Sequence, residues 1–427
     1  MRRTSPFDQA FCIKTLERTL RKRDFLGVPS ADQAIRREQL LKQALLSATS
    51  HFSDPPLPIE SFPLQGKTVF RLTKPHYELV ERKLQLNLKS CAPTTVNGRS
   101  QIVRNIKLLL KEGIPYRVYR LDIKSFFESF EKNYILNVVN NIQKLSPHSK
   151  SLIEALLNAH TKIGGKGIPR GLSISAVLSE LLMQNFDQKA HWSSDIFYYS
   201  RFVDDIIIIS STRENPTEFL NELYSWLPPG LELNHNKKTI VDITARVEKE
   251  DSNTAPNLLQ FNYLGYHFSV KNPTKTQVGN IKNGDLHRKV QVDIARKKIK
   301  KIKTRISRSF LSYIKTNNWS LLRDRIAFLT QNFSVYNPKA GGKKIAGIYH
   351  SYPLVSKEAP GLKELDRFLR NAVLSKNGRI FSKTNSMLSA KQKRHLLSYS
   401  FVRGHSNRSF VYFSATKIAQ IQSCWIY

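Results

Sequence analysis

Two adjacent aspartates stand inside the most hydrophobic stretch of the sequence, YYSRFVDDIIIIS at residues 198–210. An ionised carboxylate in apolar surroundings is costly unless a cation or strong hydrogen-bond donors compensate it. A third aspartate, Asp122, stands in similar surroundings in VYRLDIKSFF. Clustered carboxylates repel one another, and divalent cations relieve that repulsion. Asp122, Asp204 and Asp205 are therefore the first candidates for chemistry.

Carboxylate oxygens of this kind suit Mg²⁺, which keeps some of its waters and takes further ligands from substrate phosphates. Two such ions side by side can activate an attacking 3′-hydroxyl group and stabilise a leaving pyrophosphate. The alternative is a surface turn of two aspartates with an unrelated third. It is disfavoured because Phe202, Val203 and four isoleucines flank the pair, whereas surface turns usually carry Gly, Asn or Ser.

Strands must position these three side chains. Alternating and β-branched residues predict a strand on each side of the Asp204–Asp205 pair, and another that ends at Asp122. Successive strand residues face opposite sides, so adjacent aspartates converge only where the chain turns. A tight hairpin at Val203–Asp205 would supply that turn. If the Asp122 strand is its neighbour, the three carboxylates meet at one edge of the sheet.

The composition indicates a folded protein with a polyanionic partner. The 427 residues are 40% hydrophobic, and 68 Lys or Arg against 33 Asp or Glu give a net charge of +35. Nucleic acid is the favoured partner for such an excess. A membrane is disfavoured, since no run approaches the roughly 18 apolar residues of a spanning helix. Three scattered cysteines and no apolar signal core predict a reducing, cytoplasmic compartment.

Five segments of the sequence, in order, resemble palm motifs A to E of reverse transcriptases. They are RLDIKSFFESF, GIPRGLSISAVLSELLMQNFD, FVDD, LELNHNKKTI and NYLGY, and the resemblance runs from about residue 68 to 270. It implies template-directed nucleotidyl transfer by an α+β fold shaped as a right hand. The implied division is a helical N-terminal extension, fingers, a palm with a fingers-type insertion near 131–168, and a thumb with a C-terminal nucleic-acid-binding region, at residues 1–60, 61–116, 117–280 and 281–427.

The resemblance also implies roles for the residues of motif A. Asp122 and Asp204 would hold two Mg²⁺ ions, with Mn²⁺ as the alternative metal, and Asp205 would support them. The carbonyl group of Ile123 would be a further metal ligand. Phe127 matches the position beneath the incoming sugar, where a bulky ring leaves no room for a 2′-hydroxyl and favours dNTPs. A core aromatic is the alternative explanation for Phe127, because Phe126 is adjacent.

The remaining motifs imply nucleotide and primer contacts. Gly171 belongs to the motif B platform, and the preceding Arg170 stands where glutamine is usual, either as a triphosphate or template contact or facing solvent. Lys238 matches the motif D lysine that could protonate pyrophosphate, although its neighbour Lys237 or a solvated lysine is equally compatible. Primer-grip and fingers contacts are expected at Leu264 and Gly265, and at Arg71, Lys74 and Arg99.

The last third of the chain is strongly basic. Residues 287–315 carry eleven Lys or Arg against one Asp, which predicts a thumb helix that follows a duplex backbone through Arg296, Lys297, Lys300, Lys301 and Arg305. Further on, SYSFVRGHSNRSFVYFS at residues 398–414 mixes Arg, His and aromatic residues. Stacking on single-stranded RNA and a packed pair of strands explain this segment equally well.

Among reverse transcriptases, the chain looks most like the bacterial antiphage defence-associated class, and within it like the first polymerase of type 3 two-polymerase systems. That resemblance implies a dedicated noncoding RNA template, a DNA primer or product, dNTPs, and possible partners in a companion reverse transcriptase or an oligomer. Retron and group II intron enzymes are the alternatives. An RNA-dependent RNA polymerase is disfavoured by Phe127, and a non-catalytic RNA-binding scaffold is disfavoured by the three intact acids.

Overall fold

The computed structural model describes residues 6–53, 55, 57–64, 66–91, 98–244, 257–271, 287–337 and 342–425. The strands are β1 Ile59–Leu64, β2 Lys67–Leu72, β3 Tyr116–Asp122, β4 Ile196–Phe202, β5 Asp205–Ser210, β6 Thr239–Ile243, β7 Asn257–Tyr263, β8 Tyr266–Lys271, β9 Lys289–Ile294, β10 Asn332–Asn337 and β11 Gly342–Gly347. The helices are α1 Ile13–Glu17, α2 Gln33–Thr49, α3 Pro75–Cys91, α4 Arg99–Leu109, α5 Lys132–Asn140, α6 Pro147–Lys162, α7 Ser173–Leu182, α8 Gln184–Trp192, α9 Pro216–Trp226, α10 Arg296–Thr316, α11 Trp319–Thr330, α12 Ile348–Ser351, α13 Pro360–Leu374, α14 Phe381–Met387, α15 Ala390–Leu397, α16 Phe401–Ser406 and α17 Ala415–Gln422.

The chain forms two compact units. The first unit contains Met1–Asn97 and Pro115–Thr244, and the second contains Gly98–Ile114 and Ala245–Tyr427. Helix α4, which lies within the segment expected to form the fingers, belongs to the second unit. The expected boundary at residue 280 lies outside the described residues. The fingers, palm and thumb assignments stay predictions, whereas the expected α+β mixture of helices and antiparallel sheets is confirmed.

A four-stranded antiparallel sheet in the first unit carries the aspartates, with strand order β4-β5-β3-β6. The four isoleucines of β5, Ile206–Ile209, are at most 1% exposed. Burial of both faces of this central strand explains the unbroken hydrophobic run. Helices α3, α6 and α7 contribute buried leucines and isoleucines to the same core.

The β1–β2 hairpin contacts the loop that precedes α7. The Phe70 amide donates a hydrogen bond to the Arg170 carbonyl at 2.7 Å. Gly171 has a φ of +113°, and a Cβ atom there would lie 2.5 Å from the Phe70 carbonyl oxygen. Only glycine satisfies both the backbone conformation and this close approach. The sequence therefore brings the hairpin directly against the loop of motif B.

The second unit contains an antiparallel sheet, β7-β8-β9, together with the long basic helix α10 and the β10–β11 hairpin. Helices α11 and α13 pack against α10, whose buried positions include Ile299, Ile306 and Phe310. None of the helices in the described ranges is long and apolar enough to cross a membrane.

Candidate active site

The sheet register brings the three aspartates to one end of adjacent strands. Asp122, the last residue of β3, lies opposite Asp205, the first residue of β5. Just beyond β3, the Ile123 amide donates a hydrogen bond to the Asp204 carbonyl at 3.0 Å. The hairpin turn between β4 and β5 consists of Val203 and Asp204. The arrangement matches the carboxylate edge that the sequence spacing predicts.

A buried arginine, Arg201, fixes the hairpin turn from beneath. Its guanidinium group donates to both Glu180 of α7 and Asp187 of α8, at 2.7 Å each for the shortest contacts, and to the Val203 carbonyl at 3.0 Å. Val203 itself has a φ of +61°, which is rare for a β-branched residue and marks local backbone strain. The ion pairs hold a turn that the backbone alone would not favour.

Burial and repulsion between neighbouring carboxylates raise the pKa values of the two hairpin aspartates, Asp204 and Asp205. Burial raises the pKa of Asp204, and the Asp122 carboxylate raises it further, while Lys237 and Lys67 partly offset the shift. Burial likewise raises the pKa of Asp205, with Asp204 as the main repelling neighbour and Arg120 at 3.8 Å as the opposing cation. A site with this excess of negative charge attracts cations.

Lys237, rather than the expected Lys238, contacts the carboxylates. The Lys237 Nζ atom lies 2.9 Å from both oxygens of Asp122, and Asn234 donates to the same carboxylate at 3.1 Å. Lys238 is exposed and follows the short 3-10 helix His235–Lys237. That helix aims the first of the two lysines at the site, which spacing alone did not reveal.

The residues present fit a divalent metal in ligand type. Carboxylates and a backbone carbonyl are the oxygen donors that Mg²⁺ prefers, and the Lys237 ammonium group already occupies a cation position on Asp122. Within the described ranges, no group of three or more Asp, Glu, His or Cys side chains is arranged to hold an ion by itself. The remaining ligands would have to be water and substrate phosphates.

Phe126 and Phe127 occupy different environments. Phe126 is 1% exposed and belongs to the core, whereas Phe127 is half-buried. The Arg170 guanidinium lies over the Phe127 ring, 4.9 Å from its centroid, and forms two hydrogen bonds with Glu128 at 2.7 and 2.9 Å. Arg170 therefore does not simply face solvent, and its charge is directed toward the ring that is expected beneath the sugar.

A buried glutamate, Glu81, positions the start of α7 behind this loop. Its carboxylate is 3% exposed and accepts a hydrogen bond from the Ile174 amide at 2.6 Å. Burial raises the pKa of Glu81. The first turn of a helix leaves backbone amides without partners, and this carboxylate from α3 satisfies one of them.

Two of the expected fingers contacts, Arg71 and Lys74, interact with neighbouring side chains of the β1–β2 hairpin and α3. Arg71 pairs with Glu60 across the β1–β2 hairpin and lies over the Phe62 ring, and Lys74 lies over the Tyr77 ring. Lys67, at the start of β2, instead lowers the pKa of both Asp204 and Glu128 through its charge. Lys67 is an exposed cation of this hairpin whose charge acts on Asp204, and the sequence interpretation missed it.

Arg99 and the LG turn lie together in the second unit. Leu264 and Gly265 form the β7–β8 turn with φ values of +48° and +81°. Arg99 donates to the Leu264 carbonyl at 2.8 Å, and its guanidinium lies 4.8 Å from the centroid of the Tyr266 ring. The triphosphate or template role for Arg99 stays a prediction. Arg99 is used to hold the expected primer-grip turn.

The five basic residues expected to bind nucleic acid divide into two groups. Arg296 pairs with Glu364, and Arg305 lies over the Trp425 ring at 5.2 Å from its centroid. Lys297, Lys300 and Lys301 are exposed, and none of the ion pairs in the described part of the chain involves them. These three lysines are the ones available for phosphate contacts.

The missed residues carried only weak signals in the sequence. Arg201 interrupts the same apolar run as the two aspartates, and a buried guanidinium group requires charged or hydrogen-bonding partners just as a buried carboxylate does. Glu128 directly follows Phe127, but nothing local indicated that Arg170, 42 residues further on, would be its partner. Lys67 looks like any other lysine in so basic a chain.

Comparison with known protein families gives one match. Residues 66–268, just under half of the chain, match the family described as reverse transcriptase (RNA-dependent DNA polymerase). The matched segment contains Asp122, Asp204 and Asp205. It is an RNA-directed DNA polymerase domain, and such a domain is a nucleotidyltransferase. No match was found among curated proteins.

Several solved telomerase structures are similar to the chain at a low level. Apo telomerase from Candida tropicalis matches at 12% identity and a TM-score of 0.34, over 86% of this chain and 64% of that one. Its form truncated from the C-terminal domain matches at 16% identity and 0.32, over 51% and 54%. Candida albicans telomerase, in complex with a TWJ fragment of telomeric RNA, matches at 10% identity and 0.33, over 91% and 65%. The chain spans less than two thirds of the length of each of these telomerase chains.

Proposed function

We propose that this RNA-directed DNA polymerase domain copies an RNA template into DNA by two-metal nucleotidyl transfer. The observation that carries the proposal is the register of β3 and β5, which sets Asp122 opposite Asp205 beside the Asp204 turn. Asp122 and Asp204, with the Ile123 carbonyl, would hold Mg²⁺, and Asp205 would add negative charge. When bound, the ions lower the cost of forming the 3′-oxyanion and of releasing pyrophosphate.

The chain's own side chains would orient and neutralise the incoming nucleotide. Lys67 and Arg170 are the candidates for triphosphate contacts, because the charge of each acts on the Asp204 carboxylate and the Arg170 guanidinium lies over the Phe127 ring. Lys237 is the candidate to give a proton to pyrophosphate, since its Nζ atom already lies against Asp122. The Phe127 ring would exclude a 2′-hydroxyl and select dNTPs.

The proposed setting is bacterial antiphage defence. Support comes from the resemblance of motifs B and C to the defence-associated class, which also suggests a noncoding RNA template, a companion reverse transcriptase and a cytoplasmic location. The strong positive charge of the chain is compatible with a permanently bound RNA. Sequencing the nucleic acid that co-purifies with the protein tests this setting, and random cellular RNA would contradict it.

The polymerase itself is tested with Asp204→Asn on a primed RNA template with Mg²⁺ and dNTPs. We expect synthesis to fall by at least about 10³-fold, because a neutral amide cannot replace a carboxylate at a metal ion. RNA binding should be unchanged. The affinity for Mg²⁺ in the presence of dNTP, measured by calorimetry or by quenching of tryptophan fluorescence, should be lower than in the parent chain.

A matched control is Asp195→Asn, since Asp195 lies before β4 outside the carboxylate edge. This variant should keep full activity. Retained synthesis by Asp204→Asn, or loss of RNA binding with it, would contradict the proposed site. Preferential use of rNTPs by the unmodified chain would instead favour an RNA-dependent RNA polymerase.

A further inference from the structure

Two aromatic side chains near the C-terminus are exposed to solvent side by side. Phe410 is 53% exposed and Tyr412 is 72% exposed, whereas Val411 is half-buried and Phe413 is buried. This alternation is that of an extended strand with one face outward. The rings at positions i and i+2 therefore face the same side of the chain.

The buried Asn332 pins this extended segment to β10. The Asn332 amide donates to the Ser409 carbonyl at 2.8 Å, and the Val411 amide donates to the Asn332 carbonyl at 2.7 Å. The Asn332 side chain adds a bond to the Ser409 carbonyl at 3.0 Å. Both rings are thus displayed from a fixed backbone, which lowers the entropy cost of binding anything against them.

The β10–β11 hairpin and the segment around Phe410 form a small sheet whose inner face is buried and whose outer face is exposed. On the inner face, Phe413 and Phe333 lie around Phe328, with the Phe328 and Phe333 ring centroids 4.0 Å apart. On the outer face, strand pairing places Ile345, which is 51% exposed, and Lys343 on the side of Phe410. We call the outer set of Lys343, Ile345, Phe410 and Tyr412 the aromatic face. The packed pair of strands that was one explanation for residues 398–414 is wrong for most of the segment, because Phe401–Ser406 form helix α16 and the extended part makes one bridge, between Phe410 and Asn332.

The C-terminal segment that carries the aromatic face is strongly basic, which favours an anionic partner. Residues 367–427 contain eleven Lys or Arg and no Asp or Glu. Arg408, next to the face, is exposed and lies over the Tyr349 ring at 4.5 Å from its centroid. Exposed rings that stack on planar bases, together with cations that meet phosphates, are the recurring combination of single-strand binding surfaces.

We infer that the aromatic face binds single-stranded RNA outside the polymerase site, with two bases stacking on Phe410 and Tyr412. The choice of RNA rather than DNA rests on the proposed function, because the template is RNA. Duplex nucleic acid is disfavoured, since paired bases do not expose their faces to such rings.

The test is photo-crosslinking of the full chain to a short unstructured oligouridine that carries 4-thiouridine. The chain carries Asp204→Asn, so that the crosslink is read without synthesis and independently of the polymerase proposal. We expect crosslinks in the peptide that contains residues 408–412. F410S/Y412S should lose them and bind the oligonucleotide about 10- to 100-fold more weakly. Trp192→Ser, which removes an 83%-exposed aromatic of the first unit, should change neither.

Because both rings are exposed, the thermal unfolding midpoint of F410S/Y412S should equal that of the parent chain. Crosslinks confined to other peptides would overturn the inference, as would equal binding by F410S/Y412S. A preference for the matching DNA oligonucleotide would also overturn it. So would loss of self-association, rather than of RNA binding, in F410S/Y412S.

Discussion

At the scale of single residues, two adjacent rings have different expected roles: Phe126 packs in the core, and Phe127 selects the sugar of the incoming nucleotide. Phe127→Val should increase ribonucleotide incorporation, because a smaller side chain leaves space for a 2′-hydroxyl. We expect the ratio of kcat/KM for dNTP over rNTP to fall by about 10-fold or more, the effect of opening a pocket by several methylenes. Steady-state incorporation of each nucleotide on one primed RNA measures this.

Phe126→Leu is the matched control for sugar selectivity. It removes a core ring that is 1% exposed, so it should lower stability while leaving the sugar preference unchanged. An unchanged dNTP-over-rNTP preference in Phe127→Val would show that Phe127 is not the residue that excludes the 2′-hydroxyl. The charge of the Arg170 guanidinium over Phe127 is balanced by Glu128.

Local sequence identifies residues better than it identifies their partners. The apolar residues around Asp204 were enough to predict a functional carboxylate at a strand turn. The cost of burying a carboxylate depends on the residues next to it in the sequence, so it can be judged locally. The choice between Lys237 and Lys238 depended on a single 3-10 turn, and the role of Arg99 depended on a carbonyl 165 residues away. Neither of those could be derived from spacing.

At the scale of elements, the ion-pair cluster under the β4–β5 hairpin should control stability. Arg201→Met leaves the carboxylates of Glu180 and Asp187 without their shared partner in a largely buried place. Removing one member of such a cluster costs about 3–5 kcal/mol in the free energy of unfolding. Urea unfolding followed by circular dichroism measures the loss.

The comparison for Arg201 is Arg18→Met, which breaks an exposed pair with Asp8. Exposed pairs contribute little, so this variant should unfold at nearly the parent urea concentration. Equal stability of the two variants would show that the buried cluster does not hold the hairpin. The strands themselves were predictable from their residue alternation, but the helices α7 and α8 that supply these carboxylates became partners of Arg201 only through the fold.

Helix α6 carries a buried histidine that makes stability depend on pH. Burial lowers the pKa of His160 to about 4 from an ordinary value near 6.5, and its Nε2 atom has no hydrogen-bond partner. Below pH 6.5 the unfolded chain binds a proton that the folded chain refuses, so the free energy of unfolding falls as the pH drops toward 4. The loss reaches about 3 kcal/mol and is absent above pH 7.

His160→Phe should flatten the dependence of unfolding free energy on pH between 6.5 and 4, because phenylalanine cannot take up a proton. The Phe70 ring, whose centroid lies 4.3 Å from that of His160, accepts an aromatic neighbour at this position. The same measurement on His191→Gln, an exposed histidine, should follow the parent curve. If the unfolding free energy of His160→Phe still fell steeply between pH 6.5 and 4, another group would be responsible for the pH dependence.

At the scale of the whole molecule, the net charge predicts the class of partner, whereas the division of the chain into units could not be predicted from the sequence. The net charge of +35 pointed to nucleic acid before any motif was considered, and the matched reverse transcriptase segment agrees with it. The division into two units was not predictable in the same way. Helix α4 joins the second unit through long-range bonds such as that from Arg99 to the Ser351 carbonyl at 2.9 Å, which no local pattern encodes.

The exposed lysines of α10 should set the salt dependence of binding to a primer–template duplex. Each phosphate contact contributes about 0.9 to the slope of log K against log salt concentration. Replacing Lys297, Lys300 and Lys301 by Gln should therefore reduce that slope by up to about 3 and weaken binding most at low salt. Fluorescence anisotropy with a labelled duplex across a salt series measures it. The same change at Lys14, Lys22 and Lys189, exposed lysines of the first unit, should reduce the slope less, and equal reductions would show that net charge rather than the helix governs binding.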